Sequence, residues 1–207
     1  MNVTIKQAVA TDAPFLAQMI LKGSRAGKKT GLFDFLFNKE ADDKILVKLE
    51  KLTQTESKSH CHYKNFLIAQ VDGQNVGTLC SYEPRISNRE TFEKSLQEIG
   101  CCEDADAILE AVYKCTFEIR KSTLMFDFMQ EAENFVDVGV LKSLMQKSLL
   151  TARLRGYRKA QSIIEIGSRE AEMFYKKLGF SFIEQKECEE YKETFGRSGI
   201  MLFEIEF

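Results

Sequence analysis

The chain has 207 residues, 44% of them hydrophobic and 29% charged, enough to bury roughly 70% of the surface it exposes when unfolded without a metal or a disulfide. Lys and Arg number 29 against 31 Asp and Glu, a net charge of −2 that excludes a nucleic-acid partner held by bulk electrostatics and leaves room for a small charged ligand. No apolar run approaches the roughly 18 residues of a membrane span, and the opening MNVTIKQ lacks the charged and apolar stretches of a signal peptide, so the expectation is a cytoplasmic protein with no membrane partner.

Six cysteines (Cys61, Cys80, Cys101, Cys102, Cys115, Cys188) contain no CxxC pair, and in the cytoplasm they are expected as reduced thiols. Only Pro14 and Pro84 interrupt the chain, and no Ser/Gly linker or low-complexity tract marks a seam. One domain over residues 1–207 is expected.

Val3 and Ile5 alternate with Thr4 and Lys6 as a short strand, and TDAP then supplies a cap (Thr11 or Asp12) with Pro14 in the first turn of a helix carrying Phe15, Leu16, Met19 and Ile20 on one face. GLFDFLF, at residues 31–37, fits a strand or a helix equally and reads as core or as the surface of a homodimer. A charged helix follows with the stripe Ile45, Leu49 and Leu52. NFLIAQV, the turn DGQN and VGTLCSY form a hairpin, since Asp72 and Gly73 tolerate the positive φ of a tight turn.

Ser87 and Glu90 make a capping box for a helix with Phe92, Leu96 and Ile99, ended by Gly100. A second helix carries Ile108, Val112 and Ile119, and TLMFDFM is a strand. NFVDVGV, residues 134–140, reads as a further strand with MQKSLLTARLRGY as the helix after it. SIIEIG is a buried strand, REAEMFYKKLGF a helix stopped by Gly179, and SFIEQKE and MLFEIEF the last strands. The order predicts a mixed α/β (α+β) sheet flanked by helices.

AEMFYKKLGFSFIEQ, about 20 residues after a helix ending ARLRGYRKAQ, resembles the closing half of the GNAT superfamily of N-acetyltransferases. IKQAVATDAPFLAQMI, FLIAQVDGQNVGTLCSYEP and EEYKETFGRSGI are similar as well, so the resemblance spans most of the chain, least in a helical insert at about residues 87–120. It implies a mostly antiparallel mixed sheet with a splayed central strand pair, here residues 134–140 and 162–166. The backbone groups freed by the splay would pair with pantetheine. Acetyl-CoA is the implied cosubstrate, and a small-molecule or protein amine the implied acceptor.

The resemblance puts Val138, Gly139 and Val140 on the pairing strand, with one of its backbone NH groups facing the oxyanion. Leu141, Lys142, Ser143, Leu144 and Met145 would form the turn under the pyrophosphate at a helix N-terminus. Ser168 and Ala171 stand where the family keeps Asn and Ala beside pantetheine. Tyr175 stands where it keeps a tyrosine near the thioester sulfur, as general acid. Family members read along the lines of VLPEYRGRGLVNALL; this chain reads VLKSLMQKSLL, about four residues or one turn shorter, with none of the cradle glycines. The alternative function is therefore a binding or regulatory module on the same fold, without coenzyme or catalysis.

Protonating a thiolate near pKa 8.5 from a phenol near 10 is uphill by roughly 2 kcal/mol, so Tyr175 needs proximity or a lowered pKa. A lysine-like amine costs about 4.6 kcal/mol to deprotonate at pH 7, and Asp137 and Glu133, beside the implied pairing strand, are the candidate bases. His60 and His62 offer two ligands where a metal needs three or four, so no metal site is expected. Cys101 and Cys102 are adjacent, a spacing that bridges only with strain. Arg153, Arg155, Arg158 and Lys159 end a helix, where cations complement the dipole and a coenzyme phosphate would need the fold to approach.

Overall fold

A computed structural model describes residues 2–101, 105–120, 122–135 and 139–207. The strands β1 (Val3–Gln7), β2 (Phe66–Val71), β3 (Gln74–Tyr82), β4 (Leu124–Glu131), β5 (Lys159–Glu165), β6 (Ser181–Glu187) and β7 (Gly199–Glu206) form one sheet in the spatial order β1-β2-β3-β4-β5-β7-β6. All neighbours are antiparallel except β4 and β5, which run parallel. The hairpin turns where the sequence predicts, with Asp72 at φ 50° and Gly73 at φ 79°.

Two cores lie on opposite faces of this sheet. One is built by α1 (Ala13–Arg25), α2 (Leu32–Leu36), α3 (Asp42–Leu52), α4 (Arg89–Glu98) and α5 (Ala105–Lys114), whose Leu16, Ile20, Phe33, Ile45, Leu49, Phe92 and Leu109 close on Phe66, Ile68 and Cys80. The other is built by α6 (Val140–Leu154) and α7 (Arg169–Lys177), whose Val140, Leu144, Met145 and Tyr175 pack with Ala69, Val71, Val76 and Leu79. Ile68 and Ala69 fall in different cores because successive strand residues face opposite ways. An eighth helix, α8 (Glu189–Phe195), joins β6 to β7.

Local chemistry explains the elements. The α3 stripe Ile45, Leu49 and Leu52 is wholly buried, each side chain contributing about 2 kcal/mol by leaving water. Asp12 accepts from the Val9 NH at 2.9 Å, closing the turn ahead of α1. GLFDFLF resolves into α2 because Asp34 accepts from Gly31 NH at 2.8 Å and takes both forks of Arg25, which also grips Asp42 at 2.6 Å. Its Phe33 and Phe37 are core, stacked 5.9 Å apart.

Four expectations need correction. Asn88 caps α4, accepting from Thr91 NH at 3.1 Å, while the Ser87 hydroxyl turns to the Lys58 carbonyl. Helix α5 ends at Lys114, so Ile119 lies beyond it. Cys115 and Cys188 are joined in a disulfide, while Cys61, Cys80 and Cys101 are thiols and Cys102 is outside the described residues. The strand expected at 134–140 is contradicted at both of its described ends: residues 133–135 make a 3-10 turn and α6 already begins at Val140, after Gly139 at φ 79°, while residues 136–138 lie outside the described residues. The apolar alternation misled because Phe135 and Val140 reach one core from a turn and a helix. The parallel partner of β5 is β4, the segment TLMFDFM.

Helix α6 lies close enough to β3 that a Cβ on Gly77 would sit 2.6 Å from Val140 Cγ1 and 3.0 Å from the Gln130 carbonyl. Val140 is β-branched and wholly buried, so it has no free rotamer to yield. Gly77→Ala should therefore destabilise the protein by about 1–3 kcal/mol, a loss of several degrees in Tm for a chain of this size. An unchanged melting temperature would show that α6 shifts freely over the sheet.

Candidate active site

The parallel ladder between β4 and β5 stops after Leu124↔Ala160 and Met125↔Gln161. β4 continues to Glu131 and β5 to Glu165 with no pairing between them, β5 keeping its antiparallel partner β7 throughout. Two strands that share a sheet and then separate leave backbone donors and acceptors without a ladder, and a buried peptide group needs a partner. The opening belongs to a cleft of about 920 Å³ lined from both faces: Leu141, Ser168, Ala171 and Tyr175 from α6 and α7, and Lys28, Phe33, Val112, Tyr191 and Phe195 from the opposite face.

Midway along β4 the strand bulges. Cys80 pairs with Asp127 and Thr78 with Gln130, so both Phe128 and Met129 stand against Leu79. Phe128 takes φ 44°, a left-handed conformation costly for a bulky side chain, and its NH donates to Asp127 Oδ1 at 2.7 Å. Asp127 shares a face with its cross-strand neighbour Cys80, on the α1–α5 side, and the bulge turns Phe128 to that same core while Met129 returns to the other. A carboxylate thus lines the cleft at the gap. Burial raises its pKa from 3.8 to about 6, against the opposing hydrogen bond from Phe128 NH.

On the α6 and α7 side, Gly139 is the N-cap of α6 in a left-handed conformation. No acidic residue occupies the first turn, and Lys142 is exposed. The Ser143 hydroxyl is spent on the Gly139 carbonyl at 2.9 Å. Val140, Leu141, Leu144 and Met145 all belong to the core under the sheet, and of these Leu141 also lines the cleft. Ser168 Oγ is buried without a hydrogen-bond partner in the cleft wall, next to Ala171. Tyr175 is 7% exposed among Phe174, Phe180 and Phe203, and its oxygen accepts from the Ser162 hydroxyl at 2.7 Å. Burial pushes its phenol up, the Ser162 hydrogen bond working against that and the Asp127 charge with it. Lowering of the phenol pKa is therefore not available, which leaves proximity.

No protein-family model and no curated protein matches the sequence. Solved structures do match. One is described as an acetyltransferase, 15% identical with 98% of each chain covered and a TM-score of 0.68. Another is an N-acetyltransferase from Staphylococcus aureus Mu50, 16% identical over 98% of this chain and 100% of that one, also at 0.68. A third, the paia N-acetyltransferase from Thermoplasma acidophilum in complex with coenzyme A, is 12% identical over 100% of both chains at 0.57. The fold is that of the GNAT acetyltransferases.

On this GNAT fold the remaining sequence candidates separate. Asp137 and Val138 lie outside the described residues. Glu133 is exposed at the cleft rim. Arg155 pairs with Glu83 and Lys159 with Glu204 and Glu206, and neither they nor Arg153 and Arg158 line the cleft, because they lie at or beyond the far end of α6, about 20 Å from its start. The histidines diverge: His62 Nδ1 accepts from Lys64 NH, while the His60 ring packs on Phe92 at 4.7 Å in the cleft wall and burial lowers its pKa to about 4, so it stays neutral. Among the described residues no group of His, Cys, Asp and Glu could hold a metal, and no helix is long and apolar enough to cross a membrane.

Asp127 was the residue sequence reasoning missed. Its signal was present in TLMFDFM, a single acid inside an apolar strand, where an unpaired charge is costly. Opposite it, Lys28 reaches across the cleft to both oxygens of Glu165, at 2.7 and 2.8 Å, and the Tyr191 hydroxyl donates to the same carboxylate at 3.1 Å. These contacts tie the α1–α2 loop and α8 to the end of β5.

A carboxylate whose folded pKa exceeds its unfolded value binds its proton more tightly in the folded state. Its contribution to stability is present below about 3.8 and lost as pH rises through about 6. Asp127→Asn keeps an oxygen for Phe128 NH and removes the charge, so at pH 7.5 it should stabilise the protein by roughly 2–3 kcal/mol, with the difference vanishing toward pH 4. Thermal melts across that range check this; a variant less stable at pH 7.5 would show that the charge is compensated.

Proposed function

We propose that this chain is an acyl-CoA-dependent N-acyltransferase that transfers an acetyl group to an amine, with Asp127 as general base. The observation carrying this reading is a buried carboxylate, with a pKa of about 6, set by a strand bulge beside the opening between β4 and β5. The coenzyme A-bound neighbour with the same fold supports the choice of donor.

The residues present fit the coenzyme. The unpaired edges of β4 and β5 suit the amides of pantetheine, as an added strand would. Ser168 Oγ, buried without a partner, supplies a further polar contact. The NH groups at the start of α6, with Gly139 ahead of them and the Lys142 ammonium on the first turn, suit a pyrophosphate without the glycine cradle. When bound, the coenzyme supplies an acyl carbon activated as a thioester.

The chain's own residues divide the remaining work. Asp127 accepts the proton of the incoming ammonium; a carboxylate near pKa 6 makes that transfer about 3 kcal/mol less uphill than an ordinary aspartate would. Because the Ser162 hydroxyl donates to the Tyr175 oxygen, the phenol proton is left to face a departing thiolate. Burial keeps that phenol protonated at every working pH. Backbone NH groups of β4 beside the bulge, rather than of residues 138–140, face the reacting carbonyl. The acceptor enters from the α1–α5 face, where Asp127 lies, and the coenzyme from the α6 and α7 face.

Millimolar acetyl-CoA should raise Tm by several degrees, since a ligand at a hundred times its Kd stabilises by about 2.7 kcal/mol. In transfer assays kcat/KM should rise with pH through an apparent pKa near 6, a limb that Asp127→Asn abolishes along with at least a hundredfold of turnover. Tyr175→Phe should cost turnover about a hundredfold while leaving the coenzyme-induced melting shift intact. No melting shift and no transfer to any amine would replace the enzyme with the binding module.

A further inference from the structure

The disulfide between Cys115 and Cys188 joins two elements that both line the acceptor end of the cleft. Cys115 directly follows α5, which contributes Val112 to the wall, and Cys188 is the N-cap of α8, which contributes Tyr191 and Phe195. Among the described residues the same seam also carries exposed polar contacts, Lys114 to Glu190 at 3.3 Å, and Lys186 Nζ to the carbonyls of Lys114 and Thr116 at 2.8 and 3.2 Å. Such contacts hold two elements weakly in water. The inner side of α8 meets the rest of the protein through Tyr191 on Glu165, Phe195 edge-on to Phe35 at 5.3 Å, and Lys28 Nζ donating to the Phe195 carbonyl at 3.4 Å.

We propose that Cys115–Cys188 is a reversible thiol–disulfide exchange site that sets the position of α8 and so the width of the acceptor end of the cleft. Oxidised, α8 is pinned to α5 and the wall is closed; reduced, α8 keeps the surface pairs and its inner contacts without the covalent link. The significance for catalysis rests on the transferase reading, but the device is a property of the wall alone.

Cys188 is partly exposed and Cys115 buried, so a dithiol reductant attacks at Cys188. One thiolate of the reductant bonds to Cys188 Sγ and Cys115 leaves as a thiolate that takes a proton. The second thiolate of the reductant then displaces Cys188, which is protonated in turn. Two electrons pass to the protein, two protons are taken up, and the reductant leaves as its cyclic disulfide. Cys61 and Cys80 do not compete, because both are wholly buried and their thiols are pushed well above the usual range by that burial and by the charge of Asp127.

The test is amide hydrogen exchange on the full chain before and after treatment with dithiothreitol, with the gain of two thiols confirmed by mass. Exchange in residues 189–195 should quicken at least tenfold on reduction while β4 and β7 keep their protection, and oxidised glutathione should restore the original rates. Cys115→Ser with Cys188→Ser should exchange at the reduced rate and ignore dithiothreitol. Unchanged exchange in α8 after confirmed reduction overturns the proposal, as does loss of protection throughout the sheet, which would make the bond a staple for the whole fold. Resistance of the native bond to dithiothreitol overturns it too. None of these readouts involves coenzyme or amine, so they stand apart from failure of the transferase reading, which would appear as absent melting shifts and absent transfer.

Discussion

The parting of β4 from β5 is the constraint around which the molecule is arranged. A parallel pair that continued past Met125 and Gln161 would close the sheet and leave no passage between its faces. Both strands are otherwise held, β4 by β3 and β5 by β7, so the separation needs no loss of order in either one. The helices follow from it. With α1 to α5 covering one face and α6 and α7 the other, the gap becomes a channel through the sheet with a different wall at each end.

The bulge at Phe128 sets a carboxylate on the wall of that channel. An unbulged strand would alternate Asp127 and Phe128 across the sheet; the extra residue turns both to one side, and the left-handed backbone at Phe128 directs its NH to the aspartate. Folding then carries a buried acid that a neutral side chain would relieve. Stability surrendered at one strand position in favour of a basic carboxylate is the pattern expected of a functional site. Tyr175 faces the same opening from the other core, where burial keeps its phenol protonated.

Much of the fold was legible because local signals agreed with one another. The DG turn, the stripe of α3, the helix ending before Gly179 and the closing strands each combine periodicity with a specific start or stop. The sequence misplaced the splayed strand because apolar alternation in residues 134–140 satisfies a strand template although Phe135 and Val140 reach their core from a turn and a helix. The capping box with Glu90 points to Ser87, whereas the geometry gives the cap to the neighbouring Asn88. The bulge left no local mark: its register depends on β3, distant in sequence, so the lone acid in TLMFDFM signals a costly charge without showing which face of the sheet carries it. The pairing of Cys115 with Cys188 likewise depends on tertiary placement, at a sequence separation of 73.

The most direct test of the account is residue-resolved hydrogen exchange of β4 with and without saturating coenzyme A. If the open edges are the coenzyme slot, amides within residues 126–131 should gain at least tenfold protection while the β2–β3 turn stays as it was. Coenzyme binding that left those β4 amides unprotected would contradict the claim that the gap between β4 and β5 is where the coenzyme lies.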